Sequence, residues 1–230
     1  RYDTSSLESI SSGSAPLPTA LLTAFEQMYG AKVYEGYGLS EAAPIVTAHK
    51  KSQPAKPGSV GIPIPGVQIK IVDKNTEELP VGEVGEVLVK GDNVTPGYFN
   101  NEDETNNVIK DGWLHTGDLG RLDDEGYLYI VDRKKDLVIR GGFNIYPRDV
   151  EEILNQHPAV SEVAVIGIPD ASMGEELIAC IVREPKADAS EAELIAYCQD
   201  NLAKSKTPRR IEFLESLPRK GVGKIIKTKL

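Results

Sequence analysis

The sequence predicts an α/β unit joined to a β-rich stretch, then a separate small α+β domain, and three observations carry that prediction. The first 56 residues read as strand, turn, helix, strand. Residues 57 to 131 are short alternating strands punctuated by Gly, Pro and Asn. Beyond a charged joint at 132–136, helical stripes and buried-looking strands interleave from 137 to 230. At 230 residues the chain is long enough for two modest cores.

Taken in order, Ser11-Ser12-Gly13-Ser14-Ala15-Pro16 is a small-residue turn ahead of an amphipathic stretch. Leu21, Leu22, Phe25, Met28 and Tyr29 recur there at helical spacing, and Gly30 is placed to cap the helix. A short strand from Lys32 leads into Glu35-Gly36-Tyr37-Gly38-Leu39-Ser40-Glu41. Such a unit puts its loops at the C-terminal ends of its strands, where open α/β sheets bind ligands. Gln68 to Val72 and Glu83 to Val89 alternate with period two, and a strand at 126–131 runs into the joint. After the joint, Pro147 suits a first helical position and precedes the stripe Val150, Ile153, Leu154, which His157-Pro158 ends. Residues 163–168 and 177–182 read as buried strands. Ser190 with Glu193 makes a capping box for a last helix, with Leu194, Tyr197, Cys198 and Leu202 facing inward.

Composition excludes several classes of function. No apolar run approaches the ~18 residues of a membrane span, which leaves only peripheral association with a membrane open. Cys180 and Cys198 are far apart and lack His neighbours, so neither a disulfide framework nor a zinc site is expected, and a reducing cytoplasm is. A net charge of −9 argues against a nucleic-acid surface. Any anionic ligand must therefore be held locally. From Lys204 to Lys229, nine Lys or Arg face only Glu212 and Glu215, a basic island on an acidic chain. The chain opens at Arg1 without Met and runs straight into a strand, which reads as a piece of something longer.

Four stretches have the parts of a nucleotide site. Tyr37-Gly38-Leu39-Ser40-Glu41 offers an aromatic face for a base, a glycine permitting close approach of ligand or backbone, and a carboxylate able to hold Mg²⁺. In Gly112 to Gly120, Asp118 stands between glycine turns, placed to accept hydrogen bonds from ribose hydroxyls; a turn-capping aspartate is the plainer alternative. His115, beside Trp113 and Leu114, reads as structural. At the joint, Arg133, Lys134, Lys135, Asp136 and Arg140 concentrate charge ahead of the pair Gly141-Gly142. Gly221-Val222-Gly223-Lys224 lacks the spacing and the Ser or Thr of a phosphate-binding P-loop, but its glycines would let Lys224 swing a point charge toward a phosphate.

In this order and spacing the four stretches resemble the adenylate-forming superfamily of acyl-CoA synthetases, luciferases and adenylation domains. The resemblance is strongest to the long- and medium-chain fatty acyl-CoA synthetases and extends over essentially the whole chain. It implies that residues 1–131 are the C-terminal part of a larger N-terminal domain, and that Gly13, Ser14, Ala15 and Pro16 line an adenine site together with Gly36, Tyr37 and Gly38. It further implies that Tyr37 stacks on adenine, Ser40 contacts the α-phosphate and Glu41 holds Mg²⁺. Asp118 matches the ribose-binding aspartate, Arg133 the arginine at the ribose and phosphate, Lys135 the hinge, and Lys224 the lysine of the adenylation transition state. Gly141 and Gly142 would leave room for the pantetheine arm of CoA, with a tight turn as the plainer reading.

The implied reaction has two steps, ATP with a carboxylic acid giving acyl-adenylate, then CoA giving thioester and AMP. The family's upstream Ser/Thr/Gly-rich phosphate loop has no counterpart here. The expectation is therefore the C-terminal portion of a synthetase about twice this length, inactive by itself. Another acid, a carrier-protein thiol or a non-catalytic nucleotide module are the alternatives, and the sequence leaves chain length of the acid and oligomeric state open.

Overall fold

The computed structural model describes every residue except 1, 2, 16, 51, 52, 54 and 222. The chain divides into two compact units, residues 1–134 and 135–230. In the first, Ser9–Ser12 and Lys32–Glu35 pair in parallel, Ser12 opposite Glu35, joined by the helix Thr19–Tyr29. That helix ends as expected at Gly30, whose φ of 66° is left-handed and whose N–H reaches Glu26 O. Its apolar stripe is not buried: Leu21 is 58% and Met28 73% exposed, because two strands offer too narrow a sheet to cover it.

An antiparallel sheet follows, ordered Leu128–Arg133, Trp113–Leu122, Gly85–Lys90, Gln68–Val72, with Ile109–Lys110 against Trp113–Leu122. The turn between those last two strands is Asp111-Gly112, both at positive φ, the backbone a two-residue hairpin requires. Gly85–Val89 is buried on both faces rather than alternating, and Val87, Val89, Leu114 and Leu128 join Ala42 and Val46 in the core of this unit. The β-rich stretch also contains a helix, Glu102–Val108, capped by the Asn101 side chain accepting from Glu104 N at 3.2 Å, with three acids in its first turn. Its short, polar sequence carries no apolar stripe, so periodicity passes over it.

The second unit is built on a long antiparallel hairpin, Val160–Asp170 with Gly174–Arg183. Arg210–Phe213 lies parallel to the second arm, and Val138–Arg140 with Phe143–Ile145 adds a small hairpin at its start. The helices Pro147–Leu154 and Glu191–Asn201 cover one face through Val150, Leu154, Leu194 and Cys198, all buried against Val163, Leu177 and Ile181. Pro147 does open its helix, and Ser190 Oγ accepts from Glu193 N at 3.2 Å. Ala164, Ile178, Cys180 and Leu217 pack the other face. Burial pushes both thiols up, Cys198 to about 11, so neither is a thiolate at neutral pH. Among the described residues, no helix is long and apolar enough to cross a membrane.

Candidate nucleotide site

The turn 13–15 and the loop from Gly36 leave the C-terminal ends of the paired parallel strands, side by side. Gly36 N donates to Ser12 O at 2.9 Å, and a Cβ on Gly13 would stand 3.2 Å from Gly36 O. Ser14 takes φ 72°, an uncommon conformation outside glycine, and Ser14 and Ala15 are exposed. Pro16 lies outside the described residues.

Facing outward from this end, Tyr37, Asp118 and Arg133 converge. The Tyr37 hydroxyl donates to Asp118 Oδ2 at 2.6 Å, and Arg133 Nε stands 3.4 Å from Asp118 Oδ1. Three parts of the chain are needed for this. Asp118 and Arg133 are partners in register on neighbouring antiparallel strands, and Tyr37 comes from a two-residue strand 81 positions away. Arg133 is the last residue of its strand, so the strand extends beyond the 126–131 expected and takes in the first residues of the joint. Asp118 is positioned from below: its N–H donates to Thr116 Oγ1 at 3.1 Å, while Thr116 Oγ1 donates to Val87 O at 2.7 Å. The carboxylate is buried, 7% exposed, while the guanidinium end is open to solvent. Burial, then the charge and hydrogen bond of Asp118, push the Tyr37 phenol well above its ordinary value, so it stays protonated and donates. The arrangement offers a fixed acceptor, a cation and an aromatic ring in one place.

Ser40–Ala42 forms one 3-10 turn, and the segment 93–98 holds it in place. Thr95 N donates to Glu41 O at 2.7 Å, Asn93 Nδ2 to Ala42 O and Ile45 O, and the Tyr98 hydroxyl to Glu41 Oε1 at 2.8 Å. This packing by itself requires Gly38, since a Cβ there would fall 1.8 Å from Pro44 O. Among the described residues no group of three or more His, Cys, Asp or Glu could hold a metal. Glu41 therefore fits Mg²⁺ only as a single carboxylate beside a nucleotide that brings its own phosphate oxygens, an ordinary arrangement for that ion.

The charges of the joint separate into different roles. Lys134 Nζ bonds Glu86 Oε2 at 2.8 Å in the first unit. Arg140 belongs to the second unit, where Nε bonds the buried Glu176 Oε1 at 2.9 Å. Its Nη1 donates to Ser205 O and Thr207 O, and its Nη2 meets Glu176 Oε2 at 2.9 Å without hydrogen-bond geometry. Lys135 is exposed within the turn Lys134–Asp136. Gly141 and Gly142, at φ 57° and 83°, are the two central residues of the hairpin that follows, so the turn alone accounts for both glycines.

Lys224 is exposed on a second hairpin, paired opposite Lys220. The basic island around it is largely neutralised. Lys206 pairs with Asp149 at 2.6 Å, Arg209 with Asp170 at 3.0 Å, Arg210 with Glu212, Arg219 with Glu162 at 2.7 Å and Lys227 with Glu151 at 2.7 Å.

Glu86 and Tyr98 are site neighbours that reading the sequence passed over. Glu86 had a legible signal, an acid inside the apolar run Val84 to Val89; Tyr98 had none, because its partner Glu41 is 57 positions away.

Known proteins resemble the chain over its whole length. The AMP-binding enzyme family matches residues 1–99 and the AMP-binding enzyme C-terminal domain matches 149–224. A long-chain-fatty-acid–CoA ligase of Bacillus subtilis is 47% identical over 230 residues, all of this chain and 41% of that protein. A 2-succinylbenzoate–CoA ligase of Bacillus mycoides is 45% identical over 98% of this chain and 46% of its own length. Among solved structures, ATP-bound MatB of Rhodopseudomonas palustris superposes with a TM-score of 0.91 at 39% identity, over 95% of this chain and 44% of that one. The o-succinylbenzoate CoA synthetase of Bacillus subtilis with its acyl-adenylate intermediate gives 0.85 at 37%, over 96% and 45%. The chain thus spans less than half the length of the relatives it matches, and by these matches it belongs to the AMP-binding enzyme family.

Proposed function

We propose that this chain supplies the ribose-binding site, the joint and the mobile lysine of an ATP-dependent acid–CoA ligase. Such a ligase converts a carboxylic acid to acyl-adenylate and then to acyl-CoA. The observation that carries the reading is the convergence of Tyr37, Asp118 and Arg133. A buried, prepositioned carboxylate accepts the two ribose hydroxyls at little reorganisation cost. Arg133 lies where a nucleotide's phosphate side needs positive charge, and Tyr37 presents its ring to the base while its hydroxyl holds Asp118. Gly13, Ser14, Ala15 and Gly36 form the rim beside that base, and Ser40 faces the α-phosphate.

The first bond to form joins a carboxylate oxygen to the α-phosphorus as the bond to pyrophosphate breaks. Glu41 would hold Mg²⁺ with the phosphate oxygens; that ion would supply charge neutralisation there. Lys224 stabilises charge that grows on the α-phosphate oxygens in the transition state. In the second step the CoA thiol attacks the acyl carbon and AMP leaves. A lysine placed for the first step obstructs the thiol in the second, so we assign Lys135 the pivot between the two steps and Gly141-Gly142 the passage for the pantetheine arm. A fatty acid is the substrate suggested by the Bacillus subtilis relative, and an aromatic acid is favoured instead by the succinylbenzoate relative.

The test is made in the full-length parent enzyme. Lys224→Ala should abolish adenylate formation and spare thioester formation from supplied acyl-AMP; equal loss of both overturns the lysine's role. A panel of fatty and aromatic acids with ATP, Mg²⁺ and CoA separates the two substrate readings. The chain alone should give no ATP–pyrophosphate exchange.

A further inference from the structure

Glu86 is buried in the middle of the antiparallel sheet, 8% exposed. Its two carboxylate oxygens divide between two segments. Oε1 accepts the Gly117 N–H at 3.3 Å; Oε2 takes the Lys134 ammonium at 2.8 Å and stands 3.5 Å from His115 Nδ1. Gly117 is the residue before Asp118, and Lys134 is the residue after Arg133. The Gly117 and Lys134 partners of Glu86 are therefore each one peptide away from one of the two charged groups of the nucleotide site. Lys134 is also the last residue of the first unit, and Lys135 the first of the second. A buried carboxylate without partners would be costly, so its position between these two segments holds both to the sheet.

We propose that Glu86 is a positioning residue that fixes the Asp118 turn and the Arg133 strand end in one geometry, and anchors the joint so that backbone rotation starts at Lys135. The proposal rests on the nucleotide-site reading for its functional consequence and on geometry alone for the anchoring. Gly117, at φ 70°, sits in a turn that can fluctuate without an acceptor for its N–H. Lys134, on a side chain that is 57% exposed, would otherwise be an ordinary solvated lysine. The strand pairing of Asp118 with Arg133 sets the register, whereas Glu86 sets how rigidly its end is held.

The experiment compares Glu86→Gln with Lys134→Met, which keeps the stem and removes only the ammonium. Amide hydrogen exchange is read without nucleotide at 116–118 and 133–136. Glu86→Gln should speed exchange in both segments and Lys134→Met in 133–136 alone, while Val160–Asp170 in the other unit stays protected in each. Unchanged exchange in both segments of a folded Glu86→Gln protein, or a change in only one, overturns the coupling. Should Glu86→Gln fail to fold, unchanged exchange at 133–136 in Lys134→Met overturns the anchor. In the full-length parent, AMP affinity should fall about tenfold for Glu86→Gln, the worth of a charged hydrogen bond, with KM for ATP affected more than the overall rate. A wild-type parent that binds no AMP sinks the nucleotide reading and leaves the exchange result standing; unchanged affinity with faster exchange sinks the positioning role alone.

Discussion

The first unit brings distant residues to one buried point, whereas the second spreads its charges over a surface and pairs them one by one. Tyr37, Asp118 and Arg133 meet within 3.4 Å although they come from three strands. By contrast Lys206, Arg209, Arg219 and Lys227 each meet a different carboxylate. The difference teaches where positive charge can be read as function. A cation beside a buried acceptor in an open site has been placed, but one beside an exposed acid adds little, often 0–1 kcal/mol of stability. Lys224 is exposed on a small hairpin, opposite Lys220.

The largest expected effect lies at Arg140, a cation of the second unit that meets a buried acid. Arg140→Ala leaves Glu176, 3% exposed, without its counter-charge and should cost about 3–5 kcal/mol, read as a lower denaturation midpoint. A loss under ~1 kcal/mol would make Arg140 one more surface pair. In the first unit, Asp118→Asn should weaken AMP binding by the full-length parent by roughly 30- to 100-fold, through two charged hydrogen bonds and the Arg133 attraction, as calorimetric titration would show.

A pH series sharpens the contrast further. Burial alone would raise the Glu86 pKa, but the Lys134 hydrogen bond and charge, with His115, outweigh it and hold the carboxyl below its ordinary value. Ionised Glu86 therefore stabilises the fold above the ordinary carboxylate pKa, and that stability is lost as the pH falls through the lowered one. The difference in melting temperature between wild type and Glu86→Gln should thus be greatest near neutrality and vanish in acid.

Two smaller effects test the second unit's hairpins. Gly142→Ala should cost about 1–2 kcal/mol from its φ of +83°, with no clash, since nothing lies within 4 Å of the added Cβ. Lys224→Ala should change stability by no more than ~0.5 kcal/mol in a denaturant titration, as expected of an exposed side chain. A larger loss would make Lys224 structural.

Local rules were legible in the residues themselves. Gly30 ended its helix, Pro147 and Ser190 began theirs, and the apolar runs of the second unit became its central hairpin. The helix ends depend on contacts within a few positions, and the runs on their own apolar pattern. Tyr37 and Asp118 stood out one at a time by their glycine neighbours, Arg133 by its charged run, and all three by their order along the chain.

Their direct contacts were not legible, nor was the role of Glu86, because strand register and the packing of one sheet on another decide which residues 15, 31 or 81 positions apart share a point. The same holds for the joint, a single charged run in the sequence. Its sequence determined that a strand ends there and a glycine hairpin follows, since backbone conformation is a local matter. Only the tertiary structure decided that Lys134 closes on Glu86 and Arg140 on Glu176, because a long cation takes whichever acceptor the packing leaves buried within its reach.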